Sequence, residues 1–141
     1  MQRGRRIAFD YGDVRIGVAI SDPDAILASP LTTLRAVDKK LDSHLLEIFS
    51  EYLPIHIYVG RPAHMDGRHS ESATKASEFA DHIATLVQCP VELIDERLST
   101  VTAARNLRES GVKSENSRDK IDQAAAVAIL EFAMSMEKRK P

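Results

Sequence analysis

Two short apolar runs flank Gly12-Asp13 near the start of the chain: Arg6-Ile7-Ala8-Phe9-Asp10-Tyr11 before it, Val14-Arg15-Ile16-Gly17-Val18-Ala19-Ile20 after it. Runs of this length around a Gly-Asp turn predict a tight β-hairpin, and the rest of the chain is arranged around that ribbon. Asp10 falls where the first strand ends. In sheets with parallel strands, ligands collect at the carboxyl ends of the strands. Asp10 is therefore either a turn residue or an acid aimed into a crevice.

After the hairpin, residues 25–35 carry β-suited residues with Pro30 among them. Proline cannot donate to a ladder, which predicts an edge or bulged third strand. The period then changes: Leu41, Leu45, Ile48, Phe49 and Tyr52 fall at helical spacing, so residues 39–53 predict a helix stopped by Pro54. Residues 55–59 read as a short buried strand running into the turn Gly60-Arg61-Pro62, followed by a loop over 63–69. Ala73, Ala76, Phe79, Ala80, Ile83 and Val87 place a helical face on residues 70–87. A fifth strand, 91–94, leads into Asp95-Glu96-Arg97. A helix is expected over 100–109, N-capped by Ser99 and closed by Gly111, then a polar, lid-like stretch over 112–118. Residues 119–136 are apolar nearly all round, which predicts a helix packed deeply on the sheet.

This order predicts an α/β chain with a mixed five-stranded sheet, order 3-2-1-4-5, flanked by helices. Strands 1, 4 and 5 are expected to be parallel, because the last two arrive by helical crossovers. The 141 residues make a single domain, 1–141, whose tail over 137–141 is expected to fray. A net charge of −2 gives no general nucleic-acid signal, so any such binding needs a local basic patch. The single cysteine, Cys89, allows no internal disulfide and suits a reducing compartment. The apolar run after Arg3, Arg5 and Arg6 is broken at Asp10, so no signal peptide is read, and no apolar run reaches membrane-spanning length. A cytoplasmic protein is expected, with no membrane partner.

Strands 1, 4 and 5 end in Asp10, Gly60 and Asp95-Glu96. At about 4.8 Å between strands, the ends of strands 1 and 5 lie about 10 Å apart, with no side chain at Gly60 between them. Carboxylates reaching inward leave a gap near the ~4 Å at which two metal ions share a phosphate. Asp119 and Asp122, spaced i, i+3, share one face of the last helix. Asp122 is the more telling, because a carboxylate in a helix that must pack on the sheet is costly without a metal or a cation. Hard oxygen donors suit Mg²⁺. One Cys and five scattered His residues show no zinc spacing.

Phe9-Asp10-Tyr11-Gly12 with Arg15-Ile16-Gly17-Val18-Ala19, Val59-Gly60-Arg61-Pro62 with Met65-Asp66-Gly67, Asp95-Glu96-Arg97-Leu98-Ser99-Thr100, and Asp122-Gln123-Ala124-Ala125-Ala126 with Ile129-Leu130-Glu131 together resemble the YqgF family. These are Holliday-junction-resolvase-like nucleases of the RNase H fold, regarded as processing the 5′ end of pre-16S rRNA. The resemblance covers nearly the whole chain. It departs from the family at Arg61 and His64, where a Leu and an Asn are usual. It implies an RNase H-like nuclease with catalytic acids at Asp10, Glu96 and Asp122. These would hold Mg²⁺ or Mn²⁺, Asp10 bridging two ions in a two-metal hydrolysis. Asp119 is left as an additional metal ligand or the N-cap of its helix.

Arg15, Arg61, His64, Arg68, His69 and Arg97 supply a rim of candidate phosphate contacts, with Arg61 and Arg97 foremost. Few aromatics are available for base stacking, which favours recognition of backbone shape. The resemblance implies RNA as substrate, with pre-ribosomal particles as partners. A DNA-junction resolvase would share every acid, and a non-catalytic nucleic-acid-binding assembly factor would share the fold. An actin-like sugar kinase carries a similar first hairpin but needs two such domains. A homodimer would suit a resolvase or a binding protein, and the sequence leaves that open.

Overall fold

The computed structural model describes residues 1–61, 71–96 and 115–139. In chain order the described elements are β1 (Arg6–Tyr11), β2 (Arg15–Ser21), β3 (Ala28–Arg35), α1 (Leu41–Tyr52), β4 (His56–Arg61), α2 (Glu71–Ala84), β5 (Val91–Asp95) and α3 (Glu115–Arg139). The five strands form one sheet in the expected order β3-β2-β1-β4-β5. β1 runs antiparallel to β2 and parallel to β4, and β4 runs parallel to β5.

Strand alternation divides the core in two. Ile7 and Phe9 of β1 face one side with Ile16, Val18 and Ile20 of β2, under Leu45 and Phe49 of α1 and Ala76, Phe79 and Ile83 of α2. Phe9 is the pivot of this layer: its ring meets Phe49 edge-on at 6.2 Å and Phe79 at 5.5 Å, a geometry that adds to simple burial. Ala8, Ala19, Tyr58 and Ile94 face the other side, under Ala125, Ala126, Ile129, Leu130 and Ala133 of α3. Small residues dominate the sheet here. They let a single long helix approach the strands closely.

The hairpin turn needs Gly12 for space, since a Cβ there would stand 2.7 Å from the Arg15 carbonyl oxygen. Pro30 acts as expected: β3 is an edge strand, and its register with β2 slips beside Pro30, between Val18 and Ala19. β3 begins later than residue 25 because the Asp22 carboxylate accepts the Ile26 and Leu27 amides at 2.7 and 2.8 Å, holding that segment in a loop with Ala25 at φ 55°. α1 follows an Asp38 carboxylate that accepts the Lys40 amide, and it ends at Leu53 in the left-handed region just before Pro54. α2 ends at Ala84, and the Thr85 and Leu86 amides close it by tighter i→i−3 bonds to the His82 and Ile83 carbonyls at 3.0 and 2.8 Å.

Two expectations are corrected at the last helix. α3 extends to Arg139, so 137–139 do not fray: Arg6, 1% exposed, holds the Glu137 carboxylate through Nε and Nη2, each at 3.2 Å. α3 also begins at Glu115, so the lid expected over 112–118 is helical from residue 115 onward. Residues 112–114 and the helix expected over 100–109 with its Ser99 and Gly111 ends lie outside the described residues. No described helix is long and apolar enough to cross a membrane.

Candidate nuclease site

The site is built on one row across the sheet. Thr33 pairs with Gly17, Gly17 with Asp10, Asp10 with Gly60, and Gly60 with Ile94. Paired residues point to the same face, here the face covered by α3. Asp10 is thus a strand-end carboxylate with a glycine on either side. Both glycines are occupied from above. A Cβ at Gly17 would run into the backbone carbonyl of Asp122, and one at Gly60 would meet the Ile129 side chain and stand 3.1 Å from Glu96 Oε1. The two glycines therefore let Asp122 and Glu96 close in on either side of Asp10.

Asp10, Glu96 and Asp122 are 3%, 2% and 9% exposed, three of the five buried polar or charged residues among those described. Buried carboxylates need compensating partners, and these three make this face the candidate site. Glu96 follows β5 directly, and alternation from Ile94 returns it to the α3 face. Asp122 comes from the second turn of α3.

The helix acids are already held by cations. Arg15 Nε donates to Asp122 Oδ2 at 2.7 Å and stands 4.0 Å from Asp119 Oδ1. Arg35, the register partner of Arg15 across β2 and β3, lies 3.5 Å from Asp119 Oδ2. Two like charges directly opposite in a sheet repel. Here two aspartates from α3 sit over two arginines, so the four charges balance. Thr33 adds polar contacts, donating to the Asp119 carbonyl at 3.1 Å and accepting from Gln123 Nε2 at 3.0 Å.

Two sequence expectations change here. Asp119 is not an N-cap, because it lies inside α3, a full turn after Glu115. Arg15 is not an open rim residue: its side chain is 19% exposed and is spent on Asp122. Of the other rim candidates, Arg61 ends β4 opposite Asp95, and Arg97, His64, Arg68 and His69 lie outside the described residues. The sequence reading missed Gly17, Arg35 and Thr33. A glycine inside a strand is a known mark of close backbone approach, and Gly17 carried that signal. Arg35 carried none.

The donor chemistry suits a hard divalent cation, since all three buried acids offer carboxylate oxygens. Among the described residues, however, no three His, Cys, Asp or Glu side chains converge closely enough to share one ion as they stand. Arg15 holding the Asp122 oxygen is one physical reason.

A family model described as RuvX: Holliday junction resolvase matches residues 4–136. A protein of Streptomyces coelicolor named "Putative pre-16S rRNA nuclease" is 46% identical over 140 residues, covering 98% of this chain and 84% of that protein. One of the same name from Rhodococcus erythropolis is 51% identical over 135 residues, covering 92% and 76%. Among solved structures, T. thermophilus RuvC in complex with Holliday junction substrate matches with a TM-score of 0.57 at 15% identity, covering 96% of each chain. The yeast mitochondrial Holliday junction resolvase Ydc2 matches with a TM-score of 0.51 at 12% identity, covering 96% of this chain and 80% of that one. At such identities the likeness is one of fold, and it is the RNase H-like fold of the resolvases.

Proposed function

Because the chain belongs to the RuvX family, we propose that it is a metal-dependent nuclease hydrolysing phosphodiester bonds in 5′-end processing of pre-16S rRNA. The observation that carries this reading is the burial of Asp10, Glu96 and Asp122 around the Gly17-Asp10-Gly60 row. Relatives 46% and 51% identical bear the pre-16S rRNA nuclease name, which supports RNA as the substrate class.

Asp10, Glu96 and Asp122 would hold Mg²⁺ or Mn²⁺, with Asp10 on the strand between the two glycines. Bound there, such ions supply an activated water and charge stabilisation at the leaving 3′ oxygen. The chain's own part is positional. β1 and β5 fix two acids on the rigid sheet, and α3 delivers the third over Gly17. Ile129 and Ala126 of α3 pack an apolar layer beside the site. Arg61, Arg97, His64 and Arg68 contact substrate phosphates within a pre-ribosomal particle and set its register without reading its bases.

The test offers a precursor RNA carrying the 5′ extension of 16S rRNA and a four-way DNA junction side by side, with Mg²⁺ or Mn²⁺. Cleavage of the RNA, lost with chelator, is the expected result. Cleavage of the junction alone would make the protein a DNA resolvase, and cleavage of neither would leave a binding role.

A further inference from the structure

We propose that Arg15 is a built-in counter-ion that occupies Asp122 until a divalent cation takes it, and that Asp119 is the seat to which Arg15 then moves. This rests on the metal-dependent reading above, but it concerns how the site is kept when empty. Arg15 is a positioning residue that acts through Asp122.

Three observations converge on it. Arg15 Nε uses Asp122 Oδ2, an oxygen of an acid that the metal would need. Asp119 Oδ1 is buried and has no hydrogen-bond partner among the described residues, although a charged acceptor in that position normally finds one. That oxygen stands 4.0 Å from Arg15 Nε, so a displacement of about 1 Å brings it to bonding distance. The other Asp119 oxygen faces Arg35 at 3.5 Å, which holds the carboxylate in place while Arg15 is elsewhere.

The arrangement has two balanced states. Without metal, Arg15 neutralises Asp122 and limits repulsion among the buried acids. With metal, the cation neutralises Asp122, and Arg15 turns to the waiting Asp119 oxygen. The guanidinium is retained at the site in both states, and Asp122 keeps a counter-charge in each.

The competition has a measurable sign. Arg15→Gln removes the competitor for Asp122, so Mn²⁺ should bind roughly tenfold tighter, the scale of one charge-assisted hydrogen bond. Asp119→Asn removes the charged seat, which leaves Arg15 on Asp122 and should weaken Mn²⁺ binding several-fold. In an Arg15→Gln background the same Asp119→Asn change should matter less than about twofold, because no arginine needs the seat.

The experiment is titration calorimetry with MnCl₂ on these four proteins, without nucleic acid, with melting temperature against Mn²⁺ as a second readout. Arg15→Gln should melt lower without metal and gain more from Mn²⁺ than the unaltered protein. If Arg15→Gln does not fold, Arg15→Met carries the same cycle, since it also removes the positive charge while keeping an apolar stem of similar length. Equal weakening by Asp119→Asn in both backgrounds would make Asp119 a direct ligand and overturn the proposal, as would weaker binding in Arg15→Gln. Absence of Mn²⁺ binding by the unaltered protein would overturn the metal-dependent reading as well.

Discussion

Replacing Gly17 by alanine adds one methyl group at the point where α3 comes closest to the sheet. The built Cβ overlaps the Asp122 carbonyl oxygen and stands 3.0 Å from the Gln123 amide nitrogen. Both are backbone atoms, so no side-chain rotation relieves the contact. The helix must retreat on the order of an ångström to restore ordinary contact. Insertions into packed interiors cost about 1–3 kcal/mol, and this one also lengthens the 2.7 Å Arg15–Asp122 pair. About 2 kcal/mol for a chain of 141 residues corresponds to a fall in melting temperature of roughly 8 °C.

Gly60→Ala makes the useful contrast. Its Cβ meets the tip of the Ile129 side chain, which can turn away, and the Glu96 carboxylate oxygen at 3.1 Å, which is part of the proposed chemistry. Gly17→Ala should therefore lose stability and activity together, whereas Gly60→Ala should lose cleavage with a much smaller drop in melting temperature. Thermal melting and single-turnover cleavage on both variants separate the two. A Gly17→Ala protein that melts within a degree or so of the original would refute the close packing of α3 on β2.

Asp10→Asn should abolish cleavage while leaving the circular-dichroism spectrum and melting curve near native, because the change removes charge from a strand end and no apolar contact; residual cleavage above background would remove Asp10 from the mechanism. Glu137→Ala should destabilise the protein by about 2 kcal/mol, measured by urea denaturation, since Arg6 is left buried without a counter-charge, on the Gln2 and Gly4 carbonyls. Burial, and then the neighbouring Glu137 charge, push the Tyr58 phenol well above its ordinary value of 10.0. The unfolded chain therefore loses its Tyr58 proton first as pH rises. Stability from this group is complete below about pH 10 and falls above it by up to about 1.4 kcal/mol per unit, which denaturation at pH 9 and pH 11 would reveal. In an ultraviolet titration, the Tyr58 phenol should still be un-ionised above pH 10.

Much of the frame was legible because it rests on local chemistry. The Gly12-Asp13 turn, Pro30 in an edge strand and the switch from period two to helical spacing at Leu41 each state their own structure, and the sheet order follows from the crossovers. The buried acids were legible for a related reason: Asp10 ends an apolar run, and Asp122 stands in an apolar helix where a charge needs compensation. The start of α3 was not. Residues 115–118 are polar and read as a loop, but they open a helix whose first half is docked by Arg15, Arg35 and Thr33 from distant strands. Arg15 itself was misread as a rim residue, because nothing in its neighbours reveals that Asp122 lies above it. Tertiary pairing decided these positions, and local pattern carries no trace of it.

The row through Asp10 also has a kinetic side. Asp10 meets Gly17 within a single hairpin, a closure that takes microseconds. It meets Gly60 only after a crossover helix has folded, and the Arg15–Asp122 contact joins residues 107 positions apart. Closing such long loops is entropically costly and comes late. A chain that has formed only its ribbon therefore displays one acid on a bare strand, with neither partner present. The full constellation depends on these long-range contacts, so a molecule that lacks them would be chemically inert rather than indiscriminate.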